Sequence, residues 1–120
     1  MYNEQLLAYL HKAAAKPLWP EGTAQIFSSE VGSKDSGIWL KLCCQIEDNI
    51  IREVRYRVVG GGYLIAAAEW ANAFLTGKNL SAAEALDAKL IVEALALPPQ
   101  RFYCAQMIVD AVMKIARQAI

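Results

Sequence analysis

Two stretches of strict alternation dominate the chain. Ile38, Leu40, Leu42, Cys44 and Ile46 alternate with Trp39, Lys41, Cys43, Gln45 and Glu47. That period of two predicts a strand whose first set faces a core and whose second faces outward. Ile50 to Val59 repeats the pattern, with Val54, Tyr56 and Val58 inward and Glu53, Arg55 and Arg57 outward. Asp48-Asn49 between them suits a tight turn, so the pair reads as an antiparallel hairpin. A weaker strand signal runs from Thr23 to Val31 around Ile26-Phe27. The loop Gly32-Ser33-Lys34-Asp35-Ser36-Gly37 separates it from the hairpin.

The flanking regions carry helical spacing. Asn3 to Ala15 places Leu6, Leu10 and Ala13 on one face, with Leu7 and Ala14 beside them, and Pro17 and Pro20 stop it. After Gly60-Gly61-Gly62 breaks the second strong strand, Tyr63 to Thr76 reads as an alanine-rich helix closed by Gly77. Ser81-Ala82-Ala83-Glu84 has the spacing of a capping box opening a short helix. Asp87 caps the next, which reaches about Leu95. A final helix runs from Arg101 to Gln118 with Cys104, Ile108, Ala111, Val112 and Ile115 on its apolar stripe. Strands grouped together and then helices grouped together predict an α+β domain, a three-stranded antiparallel sheet with helices packed on one face.

Composition narrows the function classes. With 120 residues, 1–120 reads as a single domain, and 56% hydrophobic content supports a core without disulfides or a structural metal. Twelve basic residues balance twelve acidic ones, and no Lys/Arg cluster marks a nucleic-acid surface. Arg52, Arg55 and Arg57 read as a solvated strand face. No apolar run reaches the ~18 residues of a membrane span. The N-terminus lacks the basic-then-apolar pattern of a secretory signal, so a cytoplasmic setting is expected. There are three cysteines, and the adjacent Cys43 and Cys44 point to opposite faces of a strand, so free thiols are expected. The Gly60-Gly62 run lacks phosphate-loop spacing and reads as a turn needing positive φ. Trp39 points outward, and a cover by the N-terminal segment containing Trp19 is expected.

One stretch carries candidate chemistry. In Leu97-Pro98-Pro99-Gln100-Arg101-Phe102-Tyr103-Cys104 a double proline ends one helix and launches the next, with a cysteine in its first turn. Unpaired N–H groups at a helix start favour thiolate over thiol. A cysteine on an apolar stripe equally suits burial as a small hydrophobe.

From Val31 to the C-terminus the chain resembles the NifU/IscU-like iron–sulfur cluster scaffold family. The segments that carry the likeness occur in order: Val31-Gly32 and Lys41-Leu42, Tyr56-Arg57-Val58-Val59-Gly60-Gly61-Gly62, Gly77-Lys78-Asn79-Leu80-Ser81, and Glu93 to Pro99 with Cys104. The first 25 or so residues match poorly. The resemblance implies a scaffold that receives sulfur from a cysteine desulfurase and builds a [2Fe–2S] cluster, or holds iron or zinc. It implies three cysteines, an aspartate near the first and a histidine before the third. Ser36 stands at the first cysteine position, Ile38 at the aspartate, Gly61 at the second cysteine and Tyr103 at the histidine. Only Cys104 keeps a family ligand. One thiolate does not hold a cluster or a tetrahedral zinc. Cys43 and Cys44 lie ~15 Å or more along the strand from the ligand loop. His11 sits in the unmatched helix, and Asp35 offers one oxygen.

These residues point to a degenerate homologue. It would be a partner-binding or regulatory protein linked to cluster assembly, not an enzyme and with no cofactor from this chain alone. The alternative is a sulfur-relay protein carrying a persulfide on Cys104. A third reading is a binding module repurposed for an unrelated partner. The expected partners are a cysteine desulfurase or another cluster-assembly protein, with no nucleic acid or membrane and with oligomerisation open. Leu97-Pro98-Pro99-Gln100-Arg101 resembles the segment that a specialised Hsp70 chaperone reads, but Gln100 and Arg101 depart from the family's valine and lysine. The lost ligands predict that the former cluster pocket is filled and apolar.

Overall fold

The sheet forms where the alternation is cleanest. In the computed structural model, which describes residues 2–14 and 16–119, β1 (Ile26–Ser33), β2 (Ile38–Glu47) and β3 (Ile50–Val59) pair antiparallel in the order β1-β2-β3. Asp48 and Asn49 both have positive φ, 52° and 63°, the backbone of a turn whose twist matches the strands it joins. The register runs from Glu47 opposite Ile50 to Trp39 opposite Val59 and shifts between Gln45 and Ile46. That bulge leaves Arg52 without a partner residue and returns Val54, Tyr56 and Val58 to the inner face. β1 starts and ends later than the sequence suggests. Gln25 takes a left-handed φ of 66°, and Gly32 and Ser33 extend the ladder by pairing with Trp39 and Ile38.

The helices are α1 (Glu4–Lys12), α2 (Gly62–Leu75), α3 (Leu80–Glu84), α4 (Ala88–Leu95) and α5 (Phe102–Ala119), with a 3-10 turn at Pro99–Arg101 before α5. α2 and α5 pack on the sheet, and the other helices pack on those two. Leu40, Leu42, Cys44 and Val54 from the inner face are buried with Leu64, Ala67 and Ala71 of α2 and Ile108, Ala111 and Val112 of α5. The alanines of α2 bring its backbone close to the strands, and Leu6 anchors α1 to the same core.

Among the helices, the end of α1 and the start of α3 differ from the sequence reading. α1 stops at Lys12 because Ala13 is extended (ψ 124°). From there the chain becomes a strap held by Arg57 Nη1 on the Lys16 carbonyl (2.7 Å) and Arg55 Nη1 on that of Pro17 (2.9 Å). The expected helix end at Ala15 falls outside the described residues. α3 is capped by Asn79, whose side chain accepts from the Ala82 N–H at 2.8 Å, not by Ser81. Asn79 bridges Ile50, and the Leu80 N–H donates to the Asn49 carbonyl at 3.0 Å. That tertiary anchor fixes Asn79 in the extended conformation a cap needs.

The outer face is less open than alternation implied. Trp39 is buried, but Trp19 does not cover it. Its Nε1 donates to Glu30 at 2.9 Å, and Lys34 Nζ lies 4.4 Å from its ring centroid. Trp19 lies instead over the Arg55 guanidinium, 4.0 Å from ring centroid to carbon. Cys43, on the same face, is buried and lines a cavity with Trp19, Pro20 and Gly22 of the strap.

Candidate functional site

Backbone constraints build the loop end of the sheet. Gly32 has φ +83°, and the place of its missing side chain is taken by the Ile38 carbonyl, with Met107 Cε of α5 3.3 Å away. Gly60 has φ +145°, and a Cβ there would stand 3.2 Å from Leu64 Cδ2, 3.6 Å from the Gly37 carbonyl and 3.7 Å from Ile38 Cα. The Ser36–Ile38 and Gly60–Gly61 loops therefore abut, with α2 and α5 closing in behind them. Gly61 has φ +86° and open space where a side chain would go.

The structure gives each candidate side chain a different fate. Ser36 is exposed, and its hydroxyl donates to the Ser33 carbonyl at 2.8 Å, so it serves the turn. Ile38 is half-buried and packs on the core cluster. The Tyr103 hydroxyl accepts from Arg101 Nη1 at 3.2 Å. Cys104 is 0% exposed. Burial pushes its thiol up, against the smaller opposing effects of a Tyr103 hydrogen bond, the Arg101 charge and the backbone N–H. Desolvation thus outweighs the helix-start field, and the preceding 3-10 turn already supplies Arg101 and Phe102 N–H groups with carbonyl partners.

The family ligand positions at this end offer one thiol, one hydroxyl and one phenol. A [2Fe–2S] cluster is held mainly by thiolates, and a structural zinc by four N or S donors. The residues present do not fit either group. Among the described residues no three or more His, Cys, Asp or Glu converge as metal ligands. Cys43 and Cys44 lie mid-strand opposite Arg55 and Val54, while His11 and Asp35 are exposed.

Sequence reasoning missed an aromatic clamp at the same end. Tyr2 meets Tyr63 edge-on with centroids 4.9 Å apart, and its hydroxyl abuts Gly62. The Arg101 guanidinium lies 5.0 Å from the Tyr63 ring centroid and reaches Tyr103. Asn3 Nδ2 donates to the carbonyls of Leu95 (3.1 Å) and Ala96 (3.0 Å), tying the N-terminus to the end of α4. No periodicity flags Tyr2, because its partners are distant in sequence. On the far side of Tyr103, an apolar groove of about 770 Å³ runs between α4 and α5, lined by Ala88, Val92 and the 45%-exposed Phe102.

Comparison with known proteins now bears on this geometry. A family model described as "NifU-like N terminal domain" matches residues 10–118, so the likeness begins inside α1, earlier than the sequence motifs indicated. "Iron-sulfur cluster assembly scaffold protein IscU" of Escherichia coli (strain K12) is 27% identical over 112 residues, covering 92% of this chain and 88% of the relative. "Iron sulfur cluster assembly protein 1" of Trachipleistophora hominis is 32% identical over 82 residues, 68% of this chain. This chain spans 59% of that relative's length. Among solved structures, a putative iron-sulfur cluster assembly scaffold protein for the SUF system from Fervidobacterium islandicum AW-1 superposes with a TM-score of 0.66. It has 16% identity and covers 96% of both chains, which is a likeness of fold. Among the described residues no helix is long and apolar enough to cross a membrane.

Proposed function

The chain belongs to the NifU-like N-terminal domain family, and we propose that within it this protein binds or regulates a partner in iron–sulfur cluster assembly and does not build clusters alone. The observation that carries the reading is the donor set at the loop end. Ser36 is engaged in its own turn, Ile38 is aliphatic, Gly61 has no side chain, the Tyr103 hydroxyl is held by Arg101, and Cys104 is sealed from solvent. The retained loops and helices leave a family-shaped surface for a cysteine desulfurase or another assembly protein. The role is binding without catalysis. Its three free, buried cysteines suit a reducing compartment, and the cytoplasm is the setting we propose, although two relatives, from Yarrowia lipolytica and Schizosaccharomyces pombe, are named as mitochondrial.

The deciding experiment is anaerobic incubation with ferrous iron, cysteine and a purified desulfurase, read by visible absorption and by mass spectrometry of Cys104. The expected outcome is a colourless chain with no added sulfur and a saturable complex with the desulfurase by calorimetry. A stable charge-transfer spectrum on the chain alone would overturn the reading. Extra sulfur on Cys104 would favour the relay instead, a reading that its burial and raised thiol pKa oppose.

A further inference from the structure

The two edges of the sheet are finished differently. In an antiparallel ladder the N–H and C=O of successive residues point alternately to either side. The Ile46 N–H donates to the Gln25 carbonyl at 2.9 Å, toward β1, so Gln45 and its partner Glu53 face each other. Alternation from Glu53 then aims the backbone groups of Val54, Tyr56 and Val58 at the free edge of β3. The same parity aims Ser28 and Glu30 at the free edge of β1. There α5 closes the edge, with Gln118 Nε2 donating to the Ser28 carbonyl (2.8 Å) and Lys114 Nζ to that of Glu30 (3.0 Å).

β3 has no such closure. Its edge is paired at Ile51, whose N–H donates to the Lys78 carbonyl (2.9 Å) and whose carbonyl accepts from Gly77 (2.8 Å). Beyond that, among the described residues, Val54, Tyr56 and Val58 have no backbone partner outside the sheet. The Tyr56 carbonyl takes only a 3.4 Å bond from the Arg57 guanidinium. Two cavities flank the edge where the strap crosses it. One, of about 170 Å³, is lined by Val54, Tyr56, Lys12, Lys16 and Glu69. The other, of about 200 Å³, is lined by Tyr56, Val58, Ala13, Ala14 and Ile65.

We propose that the edge of β3 from Val54 to Val58 is a docking site for an extended acidic segment of a partner protein, which adds as a fourth strand and displaces the strap. The charge around the edge selects the occupant. Lys12, Lys16, Arg55 and Arg57 surround it, against the carboxylates of Glu53 and Glu69. Glu53 pairs with Arg55 at 2.7 Å, and Glu69 accepts from the Tyr56 hydroxyl at 2.8 Å. The strap is held by Arg55 and Arg57 through neutral carbonyls of Pro17 and Lys16. A carboxylate is the stronger acceptor for a guanidinium, so glutamates on an added strand take the donors that hold the strap and release it as they bind. Main-chain bonds supply affinity and alternate side chains supply specificity, as in other strand additions. A second copy of this chain is a poor occupant, because antiparallel β3–β3 pairing sets Arg55 and Arg57 of each copy against those of the other. The site stands on the sheet edge and is independent of what the loop end does.

The test uses the full chain and a short fluorescent peptide alternating glutamate and valine, followed by anisotropy and by amide hydrogen exchange. The expected result is saturable binding that weakens as salt rises, with slowed exchange at Val54, Tyr56 and Val58. Methylating the alternate peptide nitrogens that face β3 keeps the charge and removes the pairing, and is expected to weaken binding on the order of tenfold or more. A lysine–valine peptide is expected not to bind. The proposal fails if the parent peptide does not bind, if the methylated peptide binds as tightly as the parent, or if those three amides stay unprotected. It also fails if they become protected with protein concentration alone, which would make a second copy the occupant.

Discussion

The loop end of the sheet and the outer edge of β3 sit on one small domain and hold opposite resources. At the loop end, where family likeness implies ligand chemistry, the polar groups at the ligand positions are already used. The Ser36 hydroxyl serves its turn, the Tyr103 hydroxyl receives Arg101, and Cys104 is buried. At the β3 edge, which no sequence motif marks, Val54, Tyr56 and Val58 have, among the described residues, no backbone partner beyond the sheet, and four cations stand near them. The contrast teaches that shape and reactive groups separate easily. Gly32 keeps its loop in place because the Ile38 carbonyl leaves no room for a side chain, and Gly60 because its φ of +145° favours glycine. Those demands are independent of whether a ligand sits next door.

The largest expected effect tests this split between backbone and chemistry. Gly32→Ala forces a left-handed residue and a collision with the Ile38 carbonyl. It should cost roughly 3 kcal/mol or more in denaturant unfolding. Gly61→Ala has a similar positive φ, with ψ −177°, and open space around it, so it should cost about 1–3 kcal/mol, the backbone strain alone. Equal losses at the two positions would mean that the loop end is not held by the packing around Gly32.

These same residues show how far the sequence could be read. β2 and β3 were legible to the residue because one face of each packs on the helices, and a period of two records that directly. The five helices were legible from spacing and breakers. The end of α1 was not, because Ala13 and Ala14 continue the helical pattern while the strap is drawn off by arginines about 40 residues away in sequence. Asn79 and Ser81 are both good caps, and only the bridge to Ile50 decides between them. Trp39 and Cys43 alternate outward as read, yet both are buried, because the loops that cover them are remote or irregular. At the candidate site the sequence showed which residue types are present. It did not show that Cys104 is sealed, or that Tyr2, Tyr63 and Arg101 gather beside Tyr103.

A smaller effect, in pH, asks whether the Cys104 thiol has joined the core. Burial holds Cys44 at about 12 against an ordinary 9.0 and also raises Cys104. Tyr56 is raised as well, by burial first and then by its bond to Glu69. In each case the folded state keeps the proton longer than the unfolded chain. The stabilisation is whole below the unfolded pKa and is lost as pH climbs from about 9 toward the folded values. The urea midpoint should therefore hold steady from neutral pH to about 9 and then fall. Over the lower range a thiol reagent should label Cys104 only as fast as the protein opens. Labelling of the folded protein at neutral pH, at the rate of a free thiol, would place Cys104 with the reactive groups and erase its likeness to Cys44.

The smallest effect is the most specific for the loop end. Ser36 stands where the family resemblance implies the first ligand, and its exposed hydroxyl bonds only carbonyls of its own loop, Ser33 at 2.8 Å and, more weakly, Ile38 at 3.5 Å. If turn geometry is all it contributes, Ser36→Ala should change stability by no more than about 0.5 kcal/mol and leave desulfurase affinity unaltered. The comparison with Asn79→Ala makes the result interpretable. That side chain also bonds locally, but to the first turn of α3, and its loss should cost about 1 kcal/mol. A Ser36→Ala protein that folds normally but no longer engages the desulfurase would show that the loop end still does more than hold its own shape. The contrast with the β3 edge would then have to be redrawn as two working surfaces.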